Sequence, residues 1–113
     1  MRLVIFISGV VIAISTMSAV ADKRSHDDNY YALIYDFEVA QFCGLVNKRV
    51  HDAFSIKRKS VELKSKRSTE ELRQTRIKAM AAADIEYANR GLGGYKPWCN
   101  HEGRAGVIRI TDP

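Results

Sequence analysis

Apolar positions along the chain form one long run at the start and then fall into helical spacings. Behind Met1 and Arg2, Leu3 to Ile14 are apolar apart from Ser8 and Gly9. Ser15, Thr16 and Ser18 loosen the segment, and Ala19-Val20-Ala21 has the small-x-small form that a signal peptidase accepts. This three-part layout predicts a signal peptide over residues 1–21, cleaved before Asp22 and outside the fold. The alternative is an uncleaved amino-terminal tether, because Leu3 to Ala21 approaches the ~20 apolar residues of a spanning helix. The hydroxyl residues and the Ala-x-Ala site favour cleavage. No later stretch approaches spanning length, so no membrane span is expected once the peptide is removed.

The remaining pattern predicts three helices. Asp27 or Asp28 suits the cap of the first. From Tyr30 to Cys43 apolar residues recur almost all the way round at 100° per residue, which marks a central, buried helix. Gly44 stands where a left-handed terminating residue is wanted. Asn47 is the next cap residue. Val50, Ala53, Phe54 and Val61 form the stripe of the second helix, with the stem of Lys57 filling the gap and Ile56 and Leu63 on a flank. That helix fades at Lys64-Ser65-Lys66-Arg67. Ser68-Thr69-Glu70-Glu71 is a capping box, with a hydroxyl at the cap and a glutamate three residues on. The third helix then runs from Thr69 to about Arg90, presents Leu72, Ala79, Met80, Ala83 and Tyr87 on one face, and ends at Gly91. The connection between the second and third helices is so short that they should form an antiparallel hairpin, with the first helix in its groove. Gly91, Gly93 and Gly94 read as a flexible turn leading to Tyr95-Lys96-Pro97-Trp98-Cys99. Val107-Ile108-Arg109-Ile110 reads as a short strand or extended tail.

Cysteine usage adds a constraint that the pattern does not supply. A processed chain of Asp22 to Pro113 has 92 residues, one domain, and so small a domain is marginal without help. Its only cysteines are Cys43 and Cys99, which an oxidising compartment would pair in the one connectivity available. The bridge closes a loop of 57 residues, counting both cysteines. The chain-entropy model values such a loop at about 4 kcal/mol. Neither cysteine belongs to a Cys-x-x-Cys motif, so the bridge is read as structural. The fold class that results is all-α, a small three-helix bundle whose core spans about 28–99. A carboxyl-terminal loop and irregular tail, 100–113, is pinned to it by the disulfide.

Charge changes the functional picture more than the fold. The whole chain carries 18 basic and 13 acidic residues, and removing Arg2 with the leader leaves a net +4. From Lys48 to Lys78 there are 11 basic residues against Asp52, Glu62, Glu70 and Glu71, a local net of +7. The candidate basic surface is therefore Lys57, Arg58, Lys59, Lys64, Lys66, Arg67, Arg73, Arg76 and Lys78. Such a surface attracts phosphate, anionic glycan, a membrane surface or an acidic protein. The plainer reading is a solvated face with intrahelical pairs such as Glu62 with Lys66. Nucleic acid is not expected as a partner, because export weighs against it and no recognised motif is present.

No catalytic residue, metal site or cofactor is predicted. His51-Asp52 and His101-Glu102 are sequence neighbours and do not face each other on a helix. His26, His51 and His101 lie in three separate segments without ligand spacing. Gly91-x-Gly93-Gly94 follows a helix, whereas a phosphate-cradling loop precedes one. Asp36 and Glu38 lie inside the apolar first helix, so at least one must be partly buried and needs a partner. Glu38 with Arg104 or Arg76 is the expected ion pair. The loop bearing Trp98, His101, Glu102 and Arg104 is a candidate recognition surface. Taken together, the residues suggest a small exported binding protein, periplasmic or extracellular, without catalysis of its own. Its partner would be a protein or an anionic envelope component. The alternatives are a minor envelope enzyme or enzyme subunit, or a structural binder of anionic polymer through the basic hairpin.

Overall fold

The computed structural model describes residues 29–113. The expected signal peptide, its cleavage site and the Asp27 or Asp28 cap lie outside the described residues. Helix α1 occupies residues 29–42, α2 Lys48–Lys64, α3 Thr69–Trp98 and α4 Arg104–Thr111, with a π-helical turn, Cys99–Gly103, between the last two. No strand occurs among the described residues. The fold is all-α, as the pattern predicts.

The local signals act where they stand in the sequence. Gly44 takes φ 68° and closes α1, with the Leu45 N–H donating to the Ala40 carbonyl (2.8 Å) and the Gly44 N–H to that of Gln41 (3.1 Å). This is a Schellman ending, which satisfies carbonyls that the helix leaves open. The Asn47 side chain accepts from the Val50 N–H at 2.9 Å and starts α2. Ser68 and Glu71 form the reciprocal capping box of α3, at 3.1 and 2.8 Å.

The core is organised around α1, and one side of it joins Tyr30, Leu33, Ile34 and Phe37 to Val50 and Phe54 of α2, Leu72 and Ala79 of α3 and Ile110 of α4. Phe37 and Phe54 stack at 3.8 Å with planes 7° apart. A second cluster gathers Val39, Ala83 and Trp98, with Phe42, Cys43 and Cys99 packed against it. The short Ala79 and Ala83 side chains let α3 lie close to α1 at both clusters. Cys43 and Cys99 are bonded, with Cα atoms 5.5 Å apart, so the end of α1 is tied to the end of α3.

Three expectations are corrected. First, α3 does not end at Arg90. It continues through Gly91 and Gly94 to Trp98, with Gly93 at φ 82°, a left-handed conformation that costs a side-chain-bearing residue about 1–2 kcal/mol. Pro97 lies inside this last stretch of α3, four residues past Gly93. Second, residues 100–113 are neither irregular nor extended. They build the π turn and α4, whose Ile110 is only 1% exposed, so the bundle has a fourth helix belonging to the core. Third, α2 and α3 do not pack along each other as a hairpin. Beyond their connector α2 packs on α4 and α3 on the π turn, while α1 lies between them.

Candidate functional site

Where α2 gives way to α3, the two helices leave a cleft of about 530 Å³. Its lining comprises Arg58, Lys59, Glu62 and Leu63 of α2, Arg67 of the connector, and Thr69, Leu72 and Arg76 of α3. Four of the nine basic residues of the candidate surface thus line this cleft, together with the Glu62 carboxylate. The corner forms because the capping box turns the chain sharply after Ser68, bringing the last turns of α2 beside the first turns of α3.

Glu62 organises the cleft. Its carboxylate accepts hydrogen bonds from the Tyr30 hydroxyl, from Arg58 Nε at 2.8 Å and from Arg76 at 3.4 Å. Arg76 also donates to the Tyr30 oxygen at 2.9 Å. Burial works to raise the Glu62 pKa, but the hydrogen bonds from Tyr30 and Arg58 and the two guanidinium charges outweigh it and leave the group below the usual glutamate value. Burial, with the carboxylate beside it, raises Tyr30. Arg67 donates to the Thr75 hydroxyl at 3.0 Å and lies 5.7 Å over the Tyr30 ring. Lys59 is exposed and forms no ion pair among the described residues. The expected intrahelical partner of Glu62, Lys66, is displaced by Arg58 and Arg76.

The other sequence candidates lie elsewhere. Lys57 turns away and donates to the Arg109 carbonyl at 2.7 Å. Arg73 pairs with Glu70 through bonds of 3.0 and 3.2 Å on the exposed side of α3. Lys64, Lys66 and Lys78 are exposed and outside the cleft lining. The sequence pattern does not mark Tyr30 or Glu62 as site residues. The signal for Glu62 was its solitary negative charge amid basic residues.

The segment read as a recognition loop is divided. His101, Glu102 and Arg104 are exposed, whereas Trp98 is 5% exposed and belongs to the second core cluster. Phe42 stacks on Tyr87 at 4.5 Å, Tyr87 leans on Trp98 at 6.2 Å, and the Arg90 guanidinium sits 5.3 Å over the indole.

The buried ion pair is not the expected one. Asp36, 5% exposed, accepts both forks of Arg109 at 2.9 Å, while Glu38 pairs with neither Arg104 nor Arg76. Burial raises the Glu38 pKa, and the charge of Asp84 adds to the effect. A smaller groove of about 220 Å³ beside this pair is lined by Leu33, Val61, Ile110 and neighbours, with its charged groups satisfied by one another.

The cleft offers fixed donors and positive charge, the chemistry of an anion site. Guanidinium forks suit carboxylate or phosphate oxygens, and Arg58 and Arg76 are already held in place by Glu62 and Tyr30. Among the described residues no group of three or more His, Cys, Asp or Glu side chains could hold a metal ion. No protein-family model, no curated protein and no solved structure matches the chain.

Proposed function

We propose that the chain is a small exported protein, periplasmic or extracellular, that binds an anionic group of its partner in the α2–α3 cleft and performs no catalysis of its own. The supporting observation is that Arg58, Lys59, Arg67 and Arg76 line one concave site whose lining holds one acid, Glu62, and that Lys59 there is exposed and outside any ion pair among the described residues. Such an excess in a recess focuses the field on small anions more strongly than a flat surface does. The disulfide suits an oxidising compartment. No helix among the described residues is long and apolar enough to cross a membrane.

Lys59 is the cation to test. Lys57 holds α4, and Arg58 and Arg76 hold Glu62, so reversing any of these disturbs packing as well as charge. Titration with soluble polyphosphate, followed by calorimetry, should show binding that weakens as salt rises, because exposed charges are screened over about 8–10 Å near physiological ionic strength. Lys59→Glu should weaken that binding about tenfold, since it adds repulsion where there was attraction. Unfolding in urea should be unchanged. Wild-type affinity in a folded Lys59→Glu variant would remove the cleft as the site.

A further inference from the structure

The outer face of α2 carries two aliphatic side chains that the core does not use. Val50 and Phe54 point inward and are buried, whereas Ile56 is 71% and Leu63 79% exposed. They stand seven residues apart, about 10 Å along one stripe of the helix. Arg49 lies one further heptad back on the same stripe, with Lys59 and Ser60 between the two aliphatics. Arg49, Lys59 and Lys64 are all exposed. The acid on this side of the helix, Asp52, is paired with Lys48 at 2.7 Å. Leu63 and Lys59 also line the basic cleft, so the apolar stripe and the anion site are continuous.

From this juxtaposition we infer that α2 docks on an anionic phospholipid surface, with Ile56 and Leu63 entering the acyl boundary and a headgroup phosphate held at the cleft. The inference rests on the anion-binding reading above and names the partner. Charge complementarity and spacing decide for a lipid surface. A rigid protein partner covering both aliphatics would also have to bury Lys59 between them. At a bilayer the aliphatics sink while lysine and arginine stems extend to the phosphate level. Two aliphatics alone bind weakly, and each basic residue near an anionic surface strengthens attachment about fivefold. The docked state is therefore peripheral and salt-sensitive.

The test is cosedimentation of the oxidised protein, as recovered from its host, with two vesicle preparations. One contains equal parts of phosphatidylglycerol and phosphatidylcholine, and the other phosphatidylcholine alone. Any retained amino-terminal segment would act on both vesicles, so their difference reports the basic face. Wild type should prefer the anionic vesicles and dissociate as salt rises. Ile56→Ser, outside the cleft lining, should weaken vesicle binding about tenfold while leaving polyphosphate affinity and the urea midpoint unchanged, and adding Leu63→Ser should weaken vesicle binding further. Equal binding to both vesicles, or vesicle binding unaffected by the serine pair, would overturn the lipid assignment. Polyphosphate binding without vesicle binding would also overturn it and leave the cleft reading standing. Serine-sensitive vesicle binding without polyphosphate binding would support the lipid face and discard the cleft. Binding of neither probe discards both.

Discussion

Asp36 is the residue on which the described fold is most exposed to damage. A carboxylate so deep among apolar side chains is tolerable only with its charge matched, and Arg109 supplies both hydrogen bonds from 73 positions away. Gly106 makes the approach possible, because a Cβ there would stand 3.2 Å from three atoms of Asp36. Arg109→Met should therefore cost about 3 kcal/mol in urea denaturation, at the low end for a broken buried pair because the guanidinium side is half exposed. The double variant Asp36→Asn, Arg109→Met should recover part of that loss. A single variant as stable as wild type would show that Asp36 finds water or another donor. The sequence does reveal that a carboxylate in α1 needs a partner. It does not reveal which one, because Asp36 and Glu38 are close neighbours in sequence and their partner lies in a segment that reads as tail.

At the scale of the element, the legible parts are those fixed by neighbours a few residues away. The caps at Asn47 and Ser68 and the Gly44 ending follow from local hydrogen bonding, and they stand as read. Helix α4 is different. Val107, Ile108, Ile110 and Thr111 favour strands, and Gly106 disfavours any regular element. What makes the segment helical is long-range packing: Ile110 in the core, Gly106 against Asp36, and Gly103 so tight on the disulfide that a Cβ would meet Cys43 Sγ and Leu45 at 3.1 Å. Its hydrogen-bonded turns thus depend on surfaces supplied by α1 and α2. Ile110→Ala should consequently cost about 2–5 kcal/mol in chemical denaturation. Helical signal by circular dichroism should fall by the α4 contribution if the variant opens locally first. A loss below 1 kcal/mol would place Ile110 outside the cooperative core. The extension of α3 past Gly91 was hidden for a related reason, since glycine permits both a stop and a kink and only tertiary contacts at Trp98 choose between them.

Across the whole molecule the disulfide was legible because two cysteines leave one pairing, whereas the basic cleft was legible only as an excess of charge. Which of the nine cations converge depends on the path of the corner at Ser68 and on Glu62, and neither can be projected from a charge count. Cys43→Ser and Cys99→Ser should each lower stability by about 2–5 kcal/mol, with the double variant no worse than either single one. Thermal unfolding with and without reductant measures this, and an unchanged transition after complete reduction would refute it. The bond also sets a timetable. Cys99 follows α1, α2 and α3 in the chain, so none of these helices can be locked until all three have been synthesised. The partners of α1 from α2 and the first half of α3 are made before Cys99, whereas Trp98 arrives with it and Ile110 after it, so core packing can begin before the bond closes.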